Sequence, residues 1–236
     1  MRLDFANERV LAVVAHPDDA ELLCAGTLAR ARADGAAIGI AVLCLGDKGQ
    51  PPQPVPRLAA VRRGEMAAAA RLLGADLFWG RVPDGTLADD RPARLRLTEI
   101  YRRFRPSLVL AHNPADYHPD HRAASAIAEA ASWFCAARGH ETKPPPRPVS
   151  PALWWMDTLT MSGFEPGFYV EVSEFMTLKE AMLACHRSQA ARGADSDFSP
   201  VLELMRQQAS TRGAQAGVAA AEAFRAHQAF KRTRAW

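Results

Sequence analysis

Two short clusters of histidine and aspartate hold the chemistry this chain could do. The first is His16-Pro17-Asp18-Asp19, followed by Ala20-Glu21, and the second is His118-Pro119-Asp120-His121, preceded by His112 and Tyr117. A histidine and a carboxylate one helical turn apart can converge on one point and hold a divalent cation through N and O atoms. In the first cluster that pair is His16 with Asp19, which leaves Asp18 directed elsewhere and free. Taken alone the cluster has a plainer reading, because acids at helix N-termini are common caps. The second cluster shifts the balance. His121 completes a set of two histidines and one carboxylate with His16 and Asp19, and such a set keeps a position open for water, as catalytic rather than structural metal sites do. Beside it, Asp120 is expected to hold His118 in one tautomer and keep it protonated.

For the clusters to meet, the fold must bring both to one rim. Arg9 to Ala15 is a short, mostly apolar, β-branched run, the pattern of a strand buried on both faces of a parallel sheet, with His16 at its carboxyl end. Pro17 to Arg30 reads as a helix with Pro in its first turn and acids near its positive end. A second buried strand over Ala37 to Leu45 completes a βαβ unit. The second cluster repeats the design: an apolar strand over Ser107 to Ala111, then a helix from Asp120 to Arg138. Carboxyl ends of parallel strands face one edge, where open α/β sheets bind ligands.

The remaining segments fill in an α/β pattern. Gly46 to Pro56 carries too many breakers for regular structure and should overhang the same mouth. A helix over Arg57 to Leu73 places Arg62 and Glu65 one turn apart, where the plain reading is a surface ion pair of little value. Further strands are expected at Asp76 to Trp79, Ala152 to Asp157 and Phe168 to Val172. Helices are expected over Arg91 to Phe104, Thr177 to Ala191, Val201 to Ser210 and Ala214 to Phe230, with a loop at Ala190 to Pro200. The Pro-rich stretch Lys143 to Pro151 reads as a linker or a flap. Trp154 and Trp155 could stack on a sugar, but aromatic pairs in strands are more often core.

Composition narrows the function classes. The 236 residues are 48% hydrophobic and 23% charged, as in soluble globular proteins. A net charge of +3 without a dense Lys/Arg block gives no footprint for nucleic acid. Cys24, Cys44, Cys135 and Cys185 are far apart and form no C-x-x-C pair, so buried free thiols are expected. No apolar run has membrane-spanning length and no signal-like segment opens the chain, so no membrane association and a cytoplasmic location are expected. No composition shift marks a boundary. A single domain over residues 1–236 is expected, with a Rossmann-like core at 8–138 and C-terminal strands and helices at 151–236 completing it.

The paired motifs, with Gly26 downstream of the first, resemble the PIG-L or LmbE-like family of zinc-dependent N-acetylglucosamine de-N-acetylases. Further similarity runs through Arg62-x-x-Glu65, Val82-Pro83-Asp84-Gly85, Arg105-Pro106, His186-x-Ser188-Gln189 and Ala221-Glu222-Ala223-Phe224, and is greatest to the bacillithiol-pathway-like branch. Two positions depart from the family pattern: Ala20 stands where an acid usually follows the Asp pair, and the uncharged Tyr117 precedes His118, which gives no support for an anionic aglycone. The resemblance implies an α/β, Rossmann-like three-layer sandwich with a mostly parallel sheet. It implies zinc, or iron(II), held by His16, Asp19 and His121, with Asp18 as general base. Zinc and protonated His118 would stabilise the oxyanion, and either Asp18 or His118 would protonate the leaving amine. Arg62 and Tyr117 would contact an amino-sugar substrate, and homo-oligomers fit the family loosely. Two alternatives stand beside this reading: an amidase that cleaves a larger acyl group from a thiol or antibiotic conjugate with the same metal site, and a non-catalytic metal- or nucleotide-binding Rossmann module. The second is disfavoured because no G-x-G-x-x-G follows the first strand.

Overall fold

The computed structural model describes residues 4–194 and 200–229. Among them, strands β1 (Arg9–Val14), β2 (Ala37–Cys44), β3 (Asp76–Val82), β4 (Leu108–Ala111), β5 (Ala152–Met156), β6 (Phe168–Glu171) and β7 (Ala221–Ala226) form one sheet. Its order is β3-β2-β1-β4-β5-β7-β6. β1 to β5 pair in parallel, and β7 runs antiparallel to both its neighbours. The helices are α1 (Asp19–Leu23), α2 (Ala25–Ala33), α3 (Leu58–Leu73), α4 (Arg91–Phe104), α5 (Pro119–Phe134), α6 (Met176–Leu183), α7 (Arg187–Ala190) and α8 (Val201–Ala216).

The sheet is the middle of three layers because its central strands are apolar on both faces. Val10, Ala12 and Val14 of β1 pack with residues of α2, α3, α6 and α8 on one side. Leu11 and Val13 pack with α4 and α5 on the other. Burying each such Val or Leu is worth about 1.5–3 kcal/mol, so β1 is fixed at the centre and His16 at its tip is fixed with it. Trp154 and Trp155 lie buried in the two halves of this core. Local signals set the helix ends: the Asp90 side chain accepts from Ala93 N at 2.8 Å to open α4, and Arg105, in the left-handed region ahead of Pro106, closes it.

Tertiary context overrides the sequence pattern in four places. The first helix is not continuous over Pro17 to Arg30; it breaks at Cys24 into α1 and α2. The cause is Glu222 of β7, whose carboxylate accepts from Gly26 N at 2.9 Å and Thr27 N at 2.7 Å. Those amides open a new helix instead of continuing the old one. Gly26 leaves room for this contact, since a Cβ there would lie 2.7 Å from Val172 Cβ. Second, residues 221–226 form β7 rather than part of a helix over Ala214 to Phe230; α8 stops at Gly217 (φ 73), and Phe230 lies outside the described residues. Ala, Glu and Arg favour helices in isolation, but pairing of Phe224 with Phe168 and Met156 decides here. Third, the helix over Thr177 to Ala191 divides into α6 and α7, and a 3₁₀ turn at Ala191–Ala194 enters the expected loop, of which residues 195–199 lie outside the described residues. Fourth, α5 ends at Phe134 rather than Arg138.

The Pro-rich stretch neither links separate sheets nor overhangs the site. The buried Arg102 of α4 donates to the carbonyls of Phe134, Ala137, His140 and Pro144, tacking the start of the segment to that helix. Cys24, Cys44 and Cys135 are buried free thiols, whereas Cys185 is half-buried. No helix among the described residues is long and apolar enough to cross a membrane.

Candidate metal centre and active site

The tips of β1 and β4 bring the two clusters together. His16 Nδ1 lies 3.5 Å from Asp19 Oδ2, and His121 Nε2 lies 3.4 Å from Asp19 Oδ1. Two ligands about 2.0–2.1 Å from one tetrahedral ion are themselves about 3.3 Å apart, and each histidine stands at about that separation from one of the two oxygens of Asp19. The other nitrogen of each imidazole is occupied by a carboxylate: His16 Nε2 meets Asp120 Oδ2 at 3.1 Å, and His121 Nδ1 meets Asp116 Oδ1 at 3.1 Å. A carboxylate on one ring nitrogen fixes the tautomer and aims the other lone pair inward, as around histidine-ligated metals. Imidazoles aimed by carboxylates beside a further carboxylate are donors that suit a divalent metal, and among the described residues His16/His118/His121 and Asp19/His112/His121 are sets whose ligand atoms lie close together.

His112 is the third imidazole against Asp19, with Nε2 3.2 Å from Oδ2. Its Nε2 already accepts from Ala15 N at 3.1 Å, and burial with the neighbouring His121 pushes its pKa down to about 4. It is stacked on His121 with ring centroids 3.9 Å apart.

His16 and His121 behave oppositely to His112. Burial disfavours their charged forms, but Asp120 and Asp19 raise His16 to about 10, and Asp19 and Asp116 raise His121 to about 9. Protons thus occupy these imidazoles when no metal does. A raised folded pKa stabilises fully below the unfolded value near 6.5 and is lost as pH climbs through the folded value. Chelator-stripped protein is accordingly expected to lose thermal stability between about pH 6.5 and 10, and a melting temperature that rises over this window would contradict the assignment.

Asp120 does not orient His118 through its carboxylate as expected; that carboxylate accepts from Gly85 N at 2.7 Å and faces His16. Instead the Asp120 backbone N–H donates to His118 Nδ1 at 3.1 Å, because His118 is the N-cap of α5. Nδ1 is therefore an acceptor and the ring proton belongs on Nε2. Burial and the neighbouring His121 and His16 lower the His118 pKa, so a neutral ring is favoured over the protonated one. Asp116, whose position two residues before His118 gave no hint of its role, binds both His118 N at 2.9 Å and His121 Nδ1. Asp116→Asn is expected to weaken metal binding by about 10–100-fold, read by chelator competition, and unchanged affinity would mean that Asp116 does not aim His121.

Arg62 and Glu65 form no ion pair. Glu65 accepts from Ser188 N at 2.8 Å and Ser188 Oγ at 2.7 Å, which pins α7 to α3. Arg62 turns the other way, donating to Asp18 Oδ2 at 2.9 Å and to the Pro17 carbonyl. Burial raises the pKa of Asp18, while Arg62 opposes that rise. Behind Asp18, Glu21 lies 3.5 Å from His186 in a fully buried pair. His16, Asp18, Arg62, Tyr117 and His118 line a cavity of about 390 Å³, with Tyr117 at the rim, 59% exposed. Its far wall holds Asp84, which accepts from Gly46 N at 2.7 Å and Lys48 N at 3.1 Å, and Gln189, which donates to Gly49 O at 3.0 Å. The Val82-Pro83-Asp84-Gly85 motif was visible in the sequence, but its ties to the loop after β2 and to Asp120 were not.

A mostly parallel sheet between two helical layers, with a His/Asp constellation at its carboxyl rim, defines a three-layer α/β protein with a candidate metal site. The chain belongs to the PIG-L family, described as GlcNAc-PI de-N-acetylase, whose model matches residues 11–132. It is 31% identical over 195 residues to 1D-myo-inositol 2-acetamido-2-deoxy-alpha-D-glucopyranoside deacetylase of Streptomyces griseus, covering 70% of this chain and 60% of that one. It is 29% identical over 143 residues to 4-oxalmesaconate hydratase of Pseudomonas putida, covering 57% and 55%. The chain thus spans between 55% and 60% of the length of these two curated relatives. Among solved structures, a conserved protein from Thermus thermophilus superposes with a TM-score of 0.81 at 35% identity, over 97% of this chain and 100% of that one. N,N'-diacetylchitobiose deacetylase from Pyrococcus horikoshii superposes with a TM-score of 0.81 at 27% identity, over 93% and 84%.

Proposed function

We propose that this protein hydrolyses the N-acetyl amide of an N-acetylglucosamine-type sugar or conjugate, releasing acetate and a free amine. The observation that carries the reading is the carboxylate of Asp18, engaged through one oxygen by Arg62, at a polar cavity whose wall also holds His16, Asp19 and His121. Zinc is the proposed metal and a cytoplasmic amino-sugar conjugate the proposed substrate. When bound, the metal supplies Lewis-acid polarisation of the acyl carbonyl and acidifies water at the site. Asp18, kept out of the ligand set, takes the proton from the attacking water, a role worth about 10²–10⁴-fold. Burial, which raises its pKa, makes it a better proton acceptor once ionised and lets it return the proton to the leaving amine. The Nε2–H of neutral His118 donates to the developing oxyanion, for which one well-placed donor is worth about 3 kcal/mol. Tyr117 and Asp84 at the cavity walls contact the sugar.

The test is acetate release from a panel of N-acetylated glucosamine compounds by the metal-loaded protein and by Asp18→Ala. The wild type is expected to release acetate, and Asp18→Ala to lose at least about a hundredfold in kcat with metal content unchanged. Full activity in Asp18→Ala would remove the base assignment. Hydration of 4-oxalmesaconate without acetate release from any sugar would overturn the reading in favour of the activity named for the Pseudomonas putida relative.

A further inference from the structure

We infer that Arg62 serves the reaction through Asp18, as a clamp that holds the base in a strained turn, and that Gly46 provides the space the clamp needs. This rests on the reading of Asp18 as the base. Asp18 has φ 102 and ψ −24, in the left-handed region that a residue with a side chain rarely occupies. Such a conformation persists only where the surroundings impose it. Its strain is not offset by capping. Asp18 is the N-cap of α1, yet its side chain makes no capping hydrogen bond.

The carboxylate is turned to Arg62 instead. A single guanidinium nitrogen, Nη2, donates both to Asp18 Oδ2 and to the Pro17 carbonyl, so one group grips the side chain of the strained residue and the peptide that leads into it. Arg62 is only 3% exposed, and its guanidinium donates to the protein's own Asp18 and Pro17. Its path is cut through the loop after β2. A Cβ on Gly46 would lie 2.9 Å from both Cδ and Nε of Arg62, and Gly46 itself has φ +73. Because the atoms met are those of a flexible side chain, an added methyl group displaces Arg62, and at this φ it also strains the loop itself. Asp84 fixes this loop through Gly46 N, so β1, α3 and the β2 exit all converge on the orientation of one carboxylate.

Arg62 is thus a positioning residue, and the competing role, direct contact with the sugar, makes a different kinetic prediction. Arg62→Ala and Gly46→Ala are assayed on an N-acetylated glucosamine compound that the wild type turns over, with bound metal and amide hydrogen exchange over residues 17–22 measured on the same samples. Both variants are expected to lose about a hundredfold in kcat with KM nearly unchanged, since misplacing a reacting group by about 1 Å costs that much. Metal content is expected to hold, and exchange at 17–22 to quicken. An Arg62→Ala variant with raised KM and normal kcat, or a Gly46→Ala variant that matches wild type in kcat and exchange, would overturn the clamp. If Arg62→Ala does not fold, Gly46→Ala and Arg62→Lys are read by the same split. Asp18→Ala, run in parallel, separates the two failures: an active Asp18→Ala variant removes the base reading, whereas an inactive one beside a KM-only Arg62→Ala removes the clamp alone.

Discussion

His121→Ala is expected to leave the protein without bound metal after dialysis and without measurable acetate release. The expectation follows from how few atoms face the cation position. Asp19 Oδ2 is partly engaged by the His16 backbone N–H at 2.7 Å, so Oδ1, which faces His121 Nε2, is its freer ligand atom. With His121 gone, His16 and one carboxylate oxygen remain, too few to hold zinc at neutral pH. His112 does not substitute, because its Nε2 lone pair is turned to the Ala15 amide. Metal analysis decides the matter directly. One metal per chain retained by His121→Ala would mean that the ligand set is drawn wrongly, and that a set built on His112 should be tested next.

Glu222→Ala is expected to destabilise the fold by about 3–5 kcal/mol, visible as a large fall in the denaturant midpoint. Glu222 is buried, pairs with the fully buried Lys179, and accepts from the amides that open α2. Its removal strands an ammonium group in the core and leaves two backbone donors without acceptors. Both losses carry the full cost of desolvation. Glu222→Gln keeps the volume and one acceptor and should fall between the two. A wild-type midpoint in Glu222→Ala would show that water or local rearrangement satisfies Lys179.

The parts of this architecture legible in the sequence are those written locally. β1, β2 and β4 are continuous apolar runs, and α4 is bounded by Asp90 and by Arg105-Pro106, so periodicity and caps suffice to find them. The two His/Asp clusters are legible for the same reason, since each sits within a few residues at a strand end. What could not be read is what depends on a distant partner. The break at Cys24 is imposed by Glu222, and β7 is a strand only because Phe168 and Met156 lie beside it. Arg62 is indistinguishable from a surface arginine until α3 is docked over Pro17. Asp120 and Asp116 each lie close in sequence to several imidazoles, and spacing alone cannot tell which ring each will face. In the fold, Asp120 takes His16 from the other cluster and Asp116 takes His121.

The tie between Glu222 and the amides of Gly26 and Thr27 spans 196 residues along the chain. A ribosome therefore delivers His16, Asp18 and Asp19 long before the carboxylate that shapes the helix behind them, and until β7 has emerged α1 has no reason to stop at Leu23. The nascent protein must keep its most polar turn in water while β1 seeks neighbours. Maturation of the site is consequently expected to be a late event, timed by the arrival of β7, the last of the seven strands to be made, rather than by the synthesis of His16, Asp18 and Asp19.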